Sequence, residues 1–433
     1  MKYKHVFFIS PPFYSHFNPL LVLAKSFKKY GAEVTFGCSL EFREQILEED
    51  LNFYEIDISS NKNIGEGENT LQPDEEQMRL EEFFQSTRKG AVETLITQSN
   101  HRKADMLYNP YELVEKIKTI DRLLDIDLFI VDILSYSVTL SLYFLELPFI
   151  TFCPPHPYTI PEKEGYYGLP RNWPSAIKVE ESDIERLKAV SRSTQKEFTE
   201  VFNSIISKNK DIEEIDNAFK LVSQIGTIYN YFDFNNIERI KNKAYNIFIG
   251  NCFKKAKLDR EWQEKIHTKE MKIMISLGTF LSNRKDVLEK LIISTRSIYP
   301  QATLIVSAGS NSDRLEEYRS ENTIIESFIP QIALMPYMDT VIFHGGCNTF
   351  TEAMYYAKDM IILPFSSDQF NIAYDAENNK LGSIIDPNNF TREDLLRAFS
   401  DIKDRPDDNL EYWSHISRQR GADYAARIIM NIE

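Results

Sequence analysis

Cysteine is scarce and scattered in this chain. Its four thiols, Cys38, Cys153, Cys252 and Cys347, form no CxxC pair. Neither a disulfide framework nor a zinc site is suggested, and a reducing compartment fits best. Basic charge is also in deficit: 50 Lys and Arg face 65 Asp and Glu, a formal net charge of −15. The chain therefore lacks the basic footprint with which nucleic-acid-binding proteins displace counterions. One diphosphate could still be held by a few backbone N–H groups at a helix start, whatever the global charge. Low-complexity segments and short internal repeats are missing too. The N-terminal MKYKHVFFISPPF has too short an apolar run for a secretory leader and no small-residue cleavage site, so a cytoplasmic location is expected. A single run, 128–152, is long enough to suggest a membrane span and carries only Asp132 and Glu146 as charges. Its Ser135-Tyr136-Ser137 cluster and Pro148 break it into strand, turn, helix and strand, so no stable membrane insertion is expected.

What is present is ordinary globular sequence, 42% hydrophobic and 27% charged. At 433 residues it exceeds what one core usually organises, which points to two domains. Residues 4–10 read as a strand, 20–30 as a helix ending at Gly31, and 33–37 as a second strand. That order is a βαβ unit with parallel pairing, and it recurs at 127–152. A polar stretch over 59–103 reads as a mobile loop leading into a helix near Asp74. Residues 181–217 read as a surface helix, with Ile184, Leu187 and Val190 at helical spacing. A second series of short apolar strands follows at 271–277, 302–307, 341–343 and 360–364. The expected division is a first domain over 1–238, a linker over 239–255, a second domain over 256–410 and a terminal helix over 411–433. The fold class is α/β, two doubly wound Rossmann-like parallel sheets facing each other across a cleft, where ligands bind at the carboxyl ends of the strands.

The unusual residues fall in those loops. Phe328-Ile329-Pro330-Gln331 comes first, then His344-Gly345-Gly346-Cys347-Asn348-Thr349 with Glu352, then Pro364-Phe365-Ser366-Ser367-Asp368-Gln369 with Asn371 and Ala373. After the strand at 341–343, two glycines let the backbone approach a ligand. Asn348-Thr349 open a helix whose N–H groups and dipole face an anion. Each piece alone has a plain structural explanation: a turn for His-Gly-Gly, a surface carboxylate for Glu352, a loop for Asp368-Gln369. Their order and spacing together resemble the donor-binding signature of family 1 glycosyltransferases, the UDP-glycosyltransferases and bacterial macrolide glycosyltransferases, which have the GT-B fold. The resemblance implies that His344 and Thr349, with Gly346 and Asn348, hold the donor diphosphate. It gives Glu352 the ribose hydroxyls and Asp368-Gln369 the sugar hydroxyls. Gln331 and Phe328 are placed on the base, with Phe328 where the family usually has Trp. Gly278 and Thr279, in the Ser276-Leu277-Gly278-Thr279 turn, are similar to the family's first loop of this domain.

The first βα loop, Ser10-Pro11-Pro12-Phe13-Tyr14-Ser15-His16-Phe17-Asn18-Pro19, puts His16 just before a helix, in the place of the family's catalytic histidine. A histidine suits base catalysis because its pKa lies near the working pH. Asp132, ending the strand that opens 128–152, either orients His16 and stabilises its positive form or satisfies backbone N–H groups in its own turn. Phe13, His156 and Tyr158 are expected on the acceptor side. Asp125-Ile126-Asp127 has the DxD spacing of metal-dependent sugar transferases, yet lies before its strand, on the wrong edge for a cleft. No metal site and no cofactor are expected, because a helix start can neutralise a diphosphate; a nucleotide sugar is the co-substrate. The function the resemblance implies is inverting transfer of a hexose, glucose from UDP-glucose being the expected donor, to a hydroxyl of a small natural-product acceptor. Phe83, Phe84, Tyr166, Tyr167 and Trp173 suggest an apolar acceptor, though core packing explains aromatics equally. The expected assembly is a monomer or homodimer. Rival readings are a catalytically silent helper subunit and a nucleotide-sugar epimerase on the same architecture.

Overall fold

Runs such as His5–Ile9 and Phe149–Cys153 bury every residue, as strands covered on both faces must. In the computed structural model, residues 3–63, 74–105, 107–162, 164–209, 211–234 and 245–431 are described, without the side chains of 103–105, 279 and 407. The first sheet contains β1 (His5–Ile9), β2 (Glu33–Cys38), β3 (Asn52–Glu55), β4 (Leu128–Asp132), β5 (Phe149–Cys153), β6 (Gly226–Tyr229) and β7 (Tyr245–Phe248). Their order is β3-β2-β1-β4-β5-β6-β7, all parallel. The second contains β8 (Lys272–Ser276), β9 (Thr303–Ser307), β10 (Thr323–Glu326), β11 (Thr340–Phe343), β12 (Asp359–Ile362) and β13 (Gly382–Ile384). These are ordered β10-β9-β8-β11-β12-β13, again all parallel. In each sheet the strand order reverses once, between β1 and β4 and between β8 and β11. Those two switch points are where doubly wound sheets leave a crevice.

Several boundaries differ from the sequence reading. The helix expected over 20–30 starts earlier, at Tyr14–Lys29, so His16 lies in its first turn rather than before it. Within the linker expected over 239–255, Tyr245–Phe248 is the edge strand β7 of the first sheet; residues 239–244 lie outside the described residues. A short edge strand with an exposed Tyr245 and a half-buried Asn246 has no continuous apolar run to announce it. The helix expected over 181–217 stops at Ile206. At the end of the chain, one expected helix is two, Asp407–Gln419 and Ala422–Met430, divided at Gly421, whose φ of +89° favours glycine. The first of the two packs on the second domain, where the Ser414 hydroxyl donates to the Tyr355 carbonyl at 2.9 Å. The second lays its small face, Ala422, Ala425 and Ala426, into the core with Leu20, Leu23 and Ala24 of helix Tyr14–Lys29. Among the described residues no helix is long and apolar enough to cross a membrane.

Candidate active site

The first half of the site grows from the β1–β4 switch point, where Ile9 is in register with Val131. The chain leaves β1 through Ser10–Pro12 into helix Tyr14–Lys29, and the His16 N–H donates to the Phe13 carbonyl at 2.9 Å. A segment from beyond β3 stitches the loop down: Tyr14 N–H donates to the Asn63 carbonyl, and Asn63 N–H to the Pro12 carbonyl, both at 2.8 Å. His16 Nδ1 then lies 2.8 Å from Asp132 Oδ2. Asp132 Oδ1 accepts the Leu134 N–H at 2.8 Å, so this carboxylate makes both contacts at once, one per oxygen. Asp132 is fully buried while the His16 side chain is 14% exposed. A carboxylate so pinned takes the Nδ1–H tautomer and leaves Nε2 as the basic nitrogen. Phe13 packs edge-on to the His16 ring, 6.1 Å between centroids.

The second half lies at the β8–β11 switch point. His344 follows β11, and its ring fills the space over two glycines. A Cβ at Gly278 would stand 2.6 Å from the ring, and one at Gly346 2.5 Å. These glycines therefore house the histidine, which the sequence reading had not foreseen. Burial pushes the His344 pKa down to about 4 against an opposing Ser276 backbone contact. At neutral pH the ring is an uncharged hydrogen-bonding group. Helix Cys347–Tyr355 has Gly346 as its N-cap and no side-chain cap hydrogen bond, so its first-turn N–H groups are left for an anion. Buried Glu352 accepts a hydrogen bond from Gln331 Nε2 at 2.7 Å, and the same amide lies 3.2 Å from Thr349 Oγ1. Burial raises the Glu352 carboxyl to about 7, and the Gln331 bond only partly opposes it. Gln331, expected on the base, is thus tied to the carboxylate and hydroxyl beside it. Phe328 is 71% exposed, presenting an open ring face. The Thr279 side chain lies outside the described residues.

Other expected residues are engaged elsewhere. Gln369 Oε1 accepts the N–H groups of Phe365 and Ser366 at 2.9 and 3.1 Å, holding its own loop rather than facing a sugar. Asp368 accepts the His156 N–H at 2.8 Å; burial raises its carboxyl pKa, and His156 and, more weakly, His16 oppose the rise. His156, expected on the acceptor side, is instead buried. Its Nε2 lies 2.9 Å from Asp375 Oδ2, its Nδ1 accepts the Tyr158 N–H at 3.0 Å, and the Tyr231 hydroxyl donates to the same Asp375 oxygen at 3.2 Å. This network clasps the two domains. The Tyr158 hydroxyl accepts from Arg171 Nη1 at 2.5 Å, in a segment whose Arg171 N–H donates to Asn371 of the second domain at 3.1 Å. The aromatic residues that suggested an apolar acceptor mostly serve packing. Tyr167 stacks on Phe219 at 4.1 Å and Trp173 meets Phe370 across the domain boundary at 5.1 Å. The Asp127 carboxylate of the DxD takes the N–H groups of Lys4 and His5 at 2.6 and 2.9 Å, which accounts for it structurally.

The halves meet at Asn348. Its Nδ2 donates to the Ser15 carbonyl at 2.9 Å, and its Oδ1 accepts from Asn230 Nδ2 at 3.3 Å. Asn348 was expected to hold diphosphate; its side chain turns instead to the first domain. Asn230, Tyr231 and Asp375 carry no local signal, because they occupy ordinary core and helix positions.

Two doubly wound parallel sheets with a histidine–aspartate pair at one switch point and an uncapped helix start at the other define a protein of the GT-B class. The structure of the glycosyltransferase of kitacinnamycin superposes with a TM-score of 0.68 over 99% of this chain and 98% of that one, at 17% identity. The spinosyn rhamnosyltransferase SpnG, in complex with thymidine diphosphate, superposes with a TM-score of 0.63 over 99% of this chain and all of that one, at 11% identity. At such identities these likenesses establish the fold. The model of the family described as UDP-glucoronosyl and UDP-glucosyl transferase matches residues 186–433, and the chain belongs to that family. The uncharacterised UDP-glucosyltransferase YdhE of Bacillus subtilis (strain 168) is 26% identical over 157 residues, 36% of this chain. The match spans 39% of that relative's length, and 32% of a second Bacillus relative's.

Proposed function

We propose that this protein is an inverting glycosyltransferase that moves a hexose from a nucleoside diphosphate sugar, UDP-glucose foremost, to a hydroxyl of a small natural-product acceptor. The observation that carries the reading is the 2.8 Å His16–Asp132 pair opposite an uncapped helix start. In the single displacement, the acceptor O–H proton passes to His16 Nε2 as its oxygen bonds to the anomeric carbon. The bond from that carbon to the phosphate oxygen breaks, and the diphosphate leaves with the electron pair. Asp132 holds the imidazole and stabilises its positive charge. The charge gathering on the diphosphate is met by the first-turn N–H groups of helix Cys347–Tyr355 and by neutral His344 as a donor. Glu352 would take the ribose hydroxyls and Phe328 would cover the base. The scheme calls on no resident cofactor.

The family description and the YdhE name support a UDP-linked sugar, while thymidine diphosphate in SpnG makes the dTDP-sugars the comparison to run. Thermal shift against both sets, then transfer followed by mass gain and by the anomeric configuration of the product, tests the reading. A stabilising nucleotide sugar and an acceptor gaining one inverted hexose support it. Release of free or epimerised sugar without an acceptor points to the epimerase, and no response to any nucleotide sugar points to the silent helper.

A further inference from the structure

Pro19 lies inside helix Tyr14–Lys29. In an α-helix the N–H of residue 19 would donate to the carbonyl of residue 15, and proline has no N–H to give. The Ser15 carbonyl, in the same turn as His16, is thereby denied its helical donor. The donor it does receive comes from the other domain: Asn348 Nδ2, at 2.9 Å. Asn348 is itself oriented, because its Oδ1 accepts from the buried Asn230 at 3.3 Å, whose backbone N–H is held by the Cys153 carbonyl at 3.0 Å. Asn348 also stands in the first turn of helix Cys347–Tyr355, so one residue has its backbone in the proposed diphosphate cradle and its side chain on the turn that carries the base.

We infer that Asn348 is a positioning residue: it completes the Pro19-broken turn beside His16, so that the base is set in place only when the second domain is docked. This rests on the function proposed above. Docking the second domain and aligning the imidazole are then a single event, and donor and base are brought together or not at all.

Asn348→Asp keeps the size and the Asn230 contact but turns a carboxylate oxygen toward the Ser15 carbonyl. With saturating donor and acceptor, the N348D kcat falls on the order of ten- to a hundredfold, as for a misaligned base. Pro19→Ala restores the helical donor to Ser15, so the double variant N348D/P19A recovers most of that loss. Hydrogen–deuterium exchange of residues 13–18 runs faster in N348D than in wild type and is slowed again in the double variant. Gln98→Ala, which removes the contact with Ser367 between the same domains, leaves exchange at 13–18 unchanged. An N348D enzyme with wild-type kcat, or a loss that P19A does not relieve, overturns the inference. If wild type transfers no sugar the function fails, and the exchange data alone then judge the positioning: equal rates at 13–18 in wild type and N348D overturn it.

Discussion

His16 with Asp132 and His156 with Asp375 are hydrogen-bonded at nearly the same length, 2.8 and 2.9 Å. Yet they stand in opposite surroundings. In the first pair the carboxylate is buried and the imidazole reaches solvent, with one ring nitrogen anchored and Nε2 left basic. In the second both partners are buried and both ring nitrogens are engaged, one by Asp375 and one by the Tyr158 N–H. A histidine–aspartate pair can do proton chemistry only where one nitrogen remains available to a substrate; with both engaged, it is a rivet. The rivet lies across the domain boundary, which explains why it is placed where an acceptor residue was expected.

Substitution of each histidine sharpens the contrast. His16→Ala should lower kcat of sugar transfer on the order of a thousandfold, within the usual range for a lost general base. Full activity in H16A would end the contrast. His156→Ala should leave the Asp375 carboxylate buried without its partner and cost about 3 kcal/mol of stability, read by chemical denaturation. A cost near zero would show the second pair to be idle.

Glu352 extends the comparison to the donor half. Its pKa, raised from 4.5 to about 7, means that the folded state favours the protonated acid. The stabilisation is complete below about pH 4.5 and is lost as pH rises through about 7, a span on the order of 3 kcal/mol. Glu352→Gln should flatten that dependence, so the stability difference between pH 5 and pH 8 shrinks in the variant. In the proposed function Glu352 accepts from the ribose hydroxyls, so nucleotide affinity in wild type should rise with pH through the same window, measured by calorimetry; an affinity independent of pH would remove Glu352 from the ribose site. The smallest effect belongs to Phe328, whose exposed ring contributes little to the core. Phe328→Ala should weaken nucleotide binding about threefold to tenfold, the worth of one aromatic stacking contact, at unchanged stability.

Much of the fold was legible. Strands such as HVFFI and LFIVD are continuous apolar runs bounded by turns, and buried parallel strands read that way wherever they occur. The segments that carry His16, Asp132, His344, Thr349 and Glu352 could be located because they lie at or shortly after strand ends, where a doubly wound sheet opens its crevice. β7 was not, since an edge strand needs only a half-buried pattern. Gln369 and Asn348 were placed by family resemblance in roles their hydrogen bonds do not fill, because an amide's partner depends on what lies across from it. Pro19 was the visible signal left unused: a proline beyond the first turn of a helix leaves a carbonyl in need of a donor.

By itself the sequence determined two α/β halves, the loops in which the chemistry sits, and the residue types available there, because apolar periodicity and strand–loop–helix order are local properties of the chain. Only the tertiary structure decided which histidine keeps a free nitrogen, that two glycines serve His344, and that Asn348 reaches Ser15. These depend on partners 116, 219 and 333 residues apart along the chain for His16–Asp132, His156–Asp375 and Asn348–Ser15. No local pattern encodes such pairings: the first forms where β1 and β4 lie side by side in one sheet, and the other two form where the two domains meet.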